Sequence, residues 1–131
     1  MGLIYLDSCL LIYFVEERSA LDESVANAMA NSDRGGLAIS PLVKCECLVG
    51  PLRRTDRALE ELYNDVFRQF ESLEMPEPVY LRAAALRADA GLKIPDALHL
   101  ACAQHHRCEA LWTNDDRLSK ASQGLARDIL R

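Results

Sequence analysis

Residues 3–12 read Leu-Ile-Tyr-Leu-Asp-Ser-Cys-Leu-Leu-Ile and indicate how the fold begins. The first four form a short apolar run with a β-branched and an aromatic member, which is typical of a buried strand. We predict a helix over residues 9–16, directly after Asp7 and Ser8. The stretch therefore predicts a strand, an acid at its carboxyl end and a helix, which is how an α/β fold begins.

Strands and helices continue to alternate along the chain. We predict further strands at 37–40 and 110–113, and a short one at 128–130. Ser40 and Pro41 are typical of an N-cap followed by the first residue of a helix. The other helices are predicted at 20–31, 55–73, 79–90 and 94–106. Strands separated by helices predict an α/β fold in which a parallel sheet carries helices on both faces.

The composition describes an ordinary globular protein. A chain of 131 residues predicts one domain, spanning 1–131. Half of the residues are hydrophobic and 27% are charged, which excludes a disordered linker. No uncharged apolar run approaches the roughly 18 residues of a membrane span, so we expect a cytoplasmic protein without membrane contact. The net charge of −5 argues against a broad basic surface for nucleic acid.

The five cysteines are an odd number, so they cannot all pair within the chain. Most lie among aliphatic residues, which indicates reduced, buried thiols in a cytosolic protein. Zinc ligation by these cysteines and the neighbouring histidines is disfavoured, because the Cys-x-Cys spacing at 45–47 is not the usual one.

Four acidic residues stand in apolar stretches, and they are Asp7, Glu46, Asp96 and Asp115. Asp7 and Asp115 follow predicted strands, whereas Glu46 and Asp96 lie in early turns of predicted helices. Each acid alone has a structural interpretation; Asp96, for example, could simply stabilise a helix N-terminus. An isolated carboxylate in such surroundings is costly unless it is paired, hydrogen-bonded or bound to a metal.

Together the four acids predict a metal site. In open α/β sheets the functional crevice lies outside the carboxyl ends of the strands, where these residues are expected to meet. Clustered carboxylates repel one another unless a cation lies between them. Ligands that offer only oxygen suit Mg²⁺ or Mn²⁺.

Other catalytic motifs are missing from the sequence. It contains no Gly-x-Gly-x-x-Gly after a strand, no Walker lysine loop and no Gly-x-Ser-x-Gly elbow. His99 shares a helix face with core leucines, so we interpret it as a packing or orienting residue rather than a catalytic one.

The acidic residues and their neighbours resemble those of the PIN domain, and most closely the VapC-type toxin ribonucleases of prokaryotic toxin–antitoxin pairs. The resemblance covers nearly the whole chain, with the acids in the family's order. It is carried by residues 5–13, by Glu46 with Leu48 and Gly50, by residues 94–101 and by residues 112–115.

The resemblance implies a PIN-like three-layer α/β/α sandwich with a short, mostly parallel central sheet. It also implies roles for six residues. These roles are metal ligation and catalysis by Asp7, Glu46, Asp96 and Asp115, and orientation of the acids by Ser8 and Thr113. Because Asp116 is next to Asp115, it stays open which of the two acids faces the metal. The register with Thr113 favours Asp115.

The function that the resemblance implies is that of a Mg²⁺-dependent endoribonuclease, with Mn²⁺ as a substitute ion, acting as the toxin of a toxin–antitoxin module. The implied partners are an RNA substrate, a cognate antitoxin protein and a second copy of the chain in a homodimer. Two alternatives stay open: a PIN nuclease in RNA processing without an antitoxin, and a degenerate, non-catalytic interaction module. Without the four site acids the formal charge would be −1 rather than −5, which leaves a nearly neutral surface for an anionic substrate.

Two groups of surface candidates remain. One is a basic cluster that could contact RNA, an antitoxin or only solvent, formed by Arg53, Arg54 and Arg57. The other is the apolar series Leu10, Leu11 and residues 13–14 on the first helix, which could line a groove for the antitoxin or belong to the core.

Overall fold

The computed structural model describes residues 2–16, 36–113 and 125–128, together with residues 118 and 122. Five parallel strands form one sheet in the order β3-β2-β1-β4-β5. The strands are β1 (Ile4–Leu6), β2 (Leu37–Ile39), β3 (Glu71–Ser72), β4 (Ala110–Thr113) and β5 (Ala126–Asp128). The predicted parallel sheet is confirmed, while β5 begins two residues earlier than expected.

Five helices lie within the described residues, and with the sheet they form the predicted α/β/α sandwich. They are α1 (Ser8–Glu16), α2 (Pro41–Arg53), α3 (Arg57–Phe67), α4 (Glu77–Ala90) and α5 (Ile94–His105). The helix predicted at 20–31 lies outside the described residues. None of the helices described is both long and apolar enough to cross a membrane.

The core is built around β1, β2 and α5. All three residues of β2 are fully buried, and every residue of α5 from 97 to 103 is buried as well. A helix that is apolar on all sides is enclosed by the rest of the protein. The middle of α5, which includes His99, is therefore enclosed by the rest of the protein.

The carboxyl ends of β1, β2 and β4 lie at one edge of the sheet, because these strands are parallel neighbours. Asp7 follows β1, Ser40 follows β2, and Thr113 is the last residue of β4. Ser40 is the N-cap of α2, as predicted, and its hydroxyl accepts the backbone N–H of Val43 at 3.3 Å. This edge is where the predicted site residues begin to meet.

The prediction of a helix over 55–73 is wrong at both ends. The helix begins at Arg57, and its cap is the carboxylate of Asp56, which accepts the backbone N–H of Leu59 at 3.1 Å. Thr55 does not cap it, since its backbone takes a left-handed conformation with φ 53° in the preceding turn. The helix ends at Phe67.

The remainder of that segment forms the edge strand β3. Phe70 and Leu73 continue the helical apolar spacing, but they are buried beside the sheet instead. The backbone N–H of Leu73 donates to the carbonyl of Ile39 at 2.8 Å. Pairing with β2 therefore prevails over the local helical pattern, as tertiary contacts often do.

Candidate metal centre

Asp7 is a buried carboxylate, 5% exposed, at the junction of β1 and α1. Its backbone N–H donates to the carbonyl of Trp112 at 3.0 Å, which fixes the residue to the sheet. Its Oδ2 accepts the hydroxyl of Thr113 at 2.7 Å, and its Oδ1 accepts that of Ser8 at 3.3 Å. Thr113 thus gives Oδ2 a hydroxyl donor of its own, while Oδ1 shares the single hydroxyl hydrogen of Ser8 with Glu46, and these contacts reduce the cost of burying the charge.

Glu46 lies in the second turn of α2 and is half-buried. Its Oε1 accepts the hydroxyl of Ser8 at 2.9 Å and Nε2–H of His99 at 2.5 Å. Burial raises the pKa of Glu46, but the hydrogen bond and attraction from His99, together with the bond from Ser8, outweigh it and hold the pKa below its ordinary value. Glu46 is therefore ionised at neutral pH.

Ser8 joins the two carboxylates, since its hydroxyl oxygen lies within hydrogen-bonding distance of both. His99 adds a third group, with Nε2 at 3.6 Å from Oδ1 of Asp7. Asp7, Glu46 and His99 each place a potential ligand atom within 4.8 Å of the others, and they are the one such group among the described residues. No cysteine belongs to this group, although all five are described.

The ring of His99 is 1% exposed and hydrogen-bonded at both nitrogens. Its Nδ1 lies 2.7 Å from the hydroxyl of Tyr5, which in turn lies 2.7 Å from Oγ of Ser40. We call Ser40, Tyr5, His99 and Glu46 the buried relay. Burial raises the pKa of the Tyr5 phenol well above its ordinary value, so the phenol stays protonated.

No role at the site was predicted for Tyr5, which the sequence indicates only as a strand residue, and Ser40 was predicted only as a helix cap. A signal for Tyr5 was present, because residues two apart along a strand face the same side of the sheet. Tyr5 stands two residues before Asp7, so this spacing could have placed it on the same side of the sheet as Asp7. The structure also gives His99 a polar role that its apolar neighbours in sequence conceal.

The other predicted acids are placed differently. Asp96 is half-buried in the first turn of α5, three residues before His99, and so lies on the same side of that helix. It is not part of the three-residue group around Asp7. Asp115 and Asp116 lie outside the described residues. The ligand roles of Asp96 and Asp115, like those of Asp7 and Glu46, stay predictions.

The surface candidates also find their places. Leu10 and Leu11 belong to the core rather than to a groove.

Arg54 forms an ion pair with Glu16 at 3.2 Å, and the hydroxyl of Tyr63 donates to the other oxygen of the same carboxylate. We call Glu16, Arg54 and Tyr63 the Glu16 cluster.

The chemistry of the donor set fits a divalent cation. The group consists of two carboxylates and one histidine, and the hydroxyls of Thr113 and Ser8 donate to the carboxylates of Asp7 and Glu46. Carboxylate oxygens of this kind are the ligands that Mg²⁺ and Mn²⁺ prefer. Asp7 and Glu46 are the residues that would hold the ion.

The fold is that of a known family. The family model for the PIN domain matches residues 4–123. The chain belongs to the PIN domain family, which confirms the resemblance seen in its sequence. A comparison with curated proteins gives no match.

Similar solved structures include several toxins and their complexes. One is a toxin–antitoxin complex from Klebsiella pneumoniae, with a TM-score of 0.80, 25% identity, and coverage of 96% of this chain and 97% of that chain. Another is FitAcB from Neisseria gonorrhoeae, with a TM-score of 0.82, 18% identity, and coverage of 97% and 98%. A third is VapC20 from Mycobacterium tuberculosis, described as a sarcin–ricin loop cleaving toxin, with a TM-score of 0.76, 13% identity, and coverage of 90% and 94%.

Proposed function

We propose that this protein is a divalent-metal-dependent endoribonuclease and the toxin of a toxin–antitoxin module. Its ion is Mg²⁺, with Mn²⁺ as a substitute, and its substrate is RNA. The observation that carries the proposal is the pairing of Asp7 and Glu46 through Ser8 at the carboxyl edge of a PIN-domain sheet. The similarity to toxin–antitoxin structures supports the biological role.

Each residue has a definite task in this proposal. Asp7 and Glu46 bind the ion, and Asp96 and Asp115 complete the acidic site and the catalytic set. The hydroxyls of Ser8 and Thr113 orient the carboxylates. When bound, the divalent ion supplies the Lewis acidity that activates water and offsets the charge developing on a phosphodiester.

The electrostatics also favour a metal-dependent reaction. A phosphodiester that approaches two ionised carboxylates is repelled, because like charges at short range raise the free energy of the complex. A divalent cation, if bound by Asp7 and Glu46, would offset this repulsion. The acidic net charge of −5 is then compatible with an anionic substrate.

The direct test is cleavage of RNA by the purified chain with Mg²⁺, with Mn²⁺ and with excess EDTA. We expect cleavage with either ion and none with EDTA. Asp7→Asn and Asp96→Asn should both abolish cleavage in folded protein, whereas Asp65→Asn should not. Asp65 is a suitable control because it is an exposed aspartate that pairs with Arg68 outside the site. Undiminished cleavage by Asp7→Asn in excess EDTA would refute the metal mechanism.

The proposed protein partners are a cognate antitoxin and a second copy of the chain. An arginine of the antitoxin suits the acidic site, since its guanidinium pairs with carboxylates through two hydrogen bonds. Val49 and Leu52 are exposed, one turn apart on α2, and offer an apolar surface to a partner.

Light scattering after size-exclusion chromatography tests both partners. We expect a dimer of the isolated chain, and a complex with the product of a neighbouring reading frame that no longer cleaves RNA. A strict monomer at micromolar concentration would contradict the homodimer. A complex that cleaves RNA as fast as the free chain would contradict the antitoxin.

A further inference from the structure

The buried relay connects polar side chains from β1, α5 and α2, with its N-cap, between the core and the acidic site. Ser40 precedes α2, Tyr5 lies on β1, His99 on α5 and Glu46 on α2. The successive distances are 2.7, 2.7 and 2.5 Å, and the first three side chains are almost completely buried. Buried polar groups are costly when unpaired, so such a network is stable only when every member is satisfied.

The direction of the hydrogen bond to Glu46 follows from chemistry. An ionised carboxylate only accepts, so Nε2 of His99 must carry the hydrogen that it shares with Glu46. The lone pair of Nε2 is then not available to a cation. We therefore assign His99 to positioning rather than to metal ligation.

The far side of the ring is fixed as well. Nδ1 pairs with the hydroxyl of Tyr5, which continues to Ser40 because a hydroxyl can donate and accept at once. Ser40 is itself held by the backbone N–H of Val43 at the start of α2. The relay thus begins and ends on the same helix, six residues apart between Ser40 and Glu46.

A ring held at both nitrogens leaves Oε1 of Glu46 little freedom. Residues that hydrogen-bond to metal ligands orient them and often change metal affinity by about 10- to 100-fold. From this geometry we infer that Tyr5 and Ser40 act through His99 as positioning residues, which set the affinity of the Asp7 and Glu46 site for its divalent cation. The inference rests on the proposed function, because it concerns the ion which that function requires.

The experiment measures Mn²⁺ binding to the full chain by isothermal titration calorimetry, without RNA. Tyr5→Phe removes only the phenol oxygen, and His99→Leu removes the donor to Glu46. We expect the Kd for Mn²⁺ to rise by on the order of tenfold in each. His99→Gln retains an N–H donor and should recover part of the loss, and it should still cleave RNA at saturating metal.

Tyr63→Phe is the matched control, because it removes an equally buried phenol from a glutamate that lies outside the site. Its Kd for Mn²⁺ should equal that of the unmodified protein. Circular dichroism establishes that each variant is folded; should Tyr5→Phe not fold, the two His99 variants decide the matter.

The outcomes separate the two proposals. If the unmodified chain binds Mn²⁺ and the folded relay variants bind it equally well, the relay is purely structural and the inference is wrong, while the metal site stands. An equal loss of affinity in Tyr63→Phe would also overturn the inference, since the effect would be general. If the unmodified chain does not bind Mn²⁺, the proposed function fails and the inference fails with it.

Discussion

The buried relay and the Glu16 cluster use nearly the same residue types for different ends. Each contains a glutamate, a fully buried tyrosine and a nitrogen donor. In the Glu16 cluster, Tyr63 and Arg54 bond the carboxylate directly, so one negative charge meets one positive charge. In the relay, Tyr5 reaches Glu46 only through His99, and a second carboxylate, Asp7, lies alongside.

The difference is one of charge balance. The Glu16 cluster is a neutral ion pair that ties the end of α1 to residues of α2 and α3, which is a structural arrangement. The site around Asp7 and Glu46 holds two carboxylates against one histidine, and the remaining donors are hydroxyls. Excess negative charge on oxygens held in place is the condition under which a divalent cation binds.

The largest difference in RNA cleavage is expected between the same substitution at Glu46 and at Glu16. Glu46→Gln should reduce RNA cleavage to background, because it removes a charged ligand while it leaves the side-chain shape unchanged. Glu16→Gln should leave cleavage unchanged, since Glu16 holds helices together outside the acidic site. Cleavage of a labelled RNA at saturating Mg²⁺ measures both.

Two outcomes would break this comparison. Full RNA cleavage by Glu46→Gln would show that Glu46 is not a metal ligand. Loss of activity in folded Glu16→Gln would show that the Glu16 cluster contributes to the reaction as well.

The two tyrosines should differ in their contribution to stability. Tyr5→Phe leaves Nδ1 of His99 without a buried partner, at a cost of about 1–3 kcal/mol, and leaves Oγ of Ser40 with only the backbone N–H of Val43. Tyr63→Phe should cost only about 1 kcal/mol, because Glu16 keeps Arg54 and is partly exposed to water. Urea unfolding of the metal-free proteins at neutral pH gives both free energies. Equal losses of unfolding free energy in the two variants would mean that the phenol of Tyr5 contributes no more to stability than that of Tyr63.

A smaller effect is expected on the pH dependence of stability. The pKa of Glu46 is lower in the folded protein than its ordinary value of about 4.3. A depressed pKa contributes stability that is fully present above the unfolded value and is lost as the pH falls through the folded value. Below about pH 4, the free energy of unfolding should therefore fall more steeply in the unmodified protein than in Glu46→Gln. Urea unfolding in EDTA between neutral and acidic pH tests this, and parallel curves would contradict it.

The fold was largely predictable because its strands and helices carry strong local patterns. The apolar run at 3–6 and the pair Ser40 and Pro41 predict β1 and the start of α2 correctly. The strand β3 was not predictable, because it is only two residues long and both of its residues, Glu71 and Ser72, are exposed. Its pairing with β2 depends on a tertiary contact, while Phe70 and Leu73 imitate a helical repeat.

The acids of the site were easier to predict from the sequence than the residues of the buried relay. Asp7 and Glu46 stand out because carboxylates are unexpected among apolar residues. The relay as a whole was not predictable from the sequence, because only Tyr5, two residues before Asp7, carries a signal, whereas Ser40 and His99 have the patterns of a cap and a core residue. Their distances are set by how α2 and α5 lie on the sheet, which periodicity does not specify.

The most direct test of the central claim is a crystal structure of the protein with Mn²⁺, recorded with anomalous scattering. We predict an anomalous peak in contact with carboxylate oxygens of both Asp7 and Glu46, with the imidazole of His99 still hydrogen-bonded to Glu46 and not bound to the ion. The same crystals of Asp7→Asn should lack the peak. A peak elsewhere on the chain, or none at Asp7 and Glu46 at saturating Mn²⁺, would contradict the account.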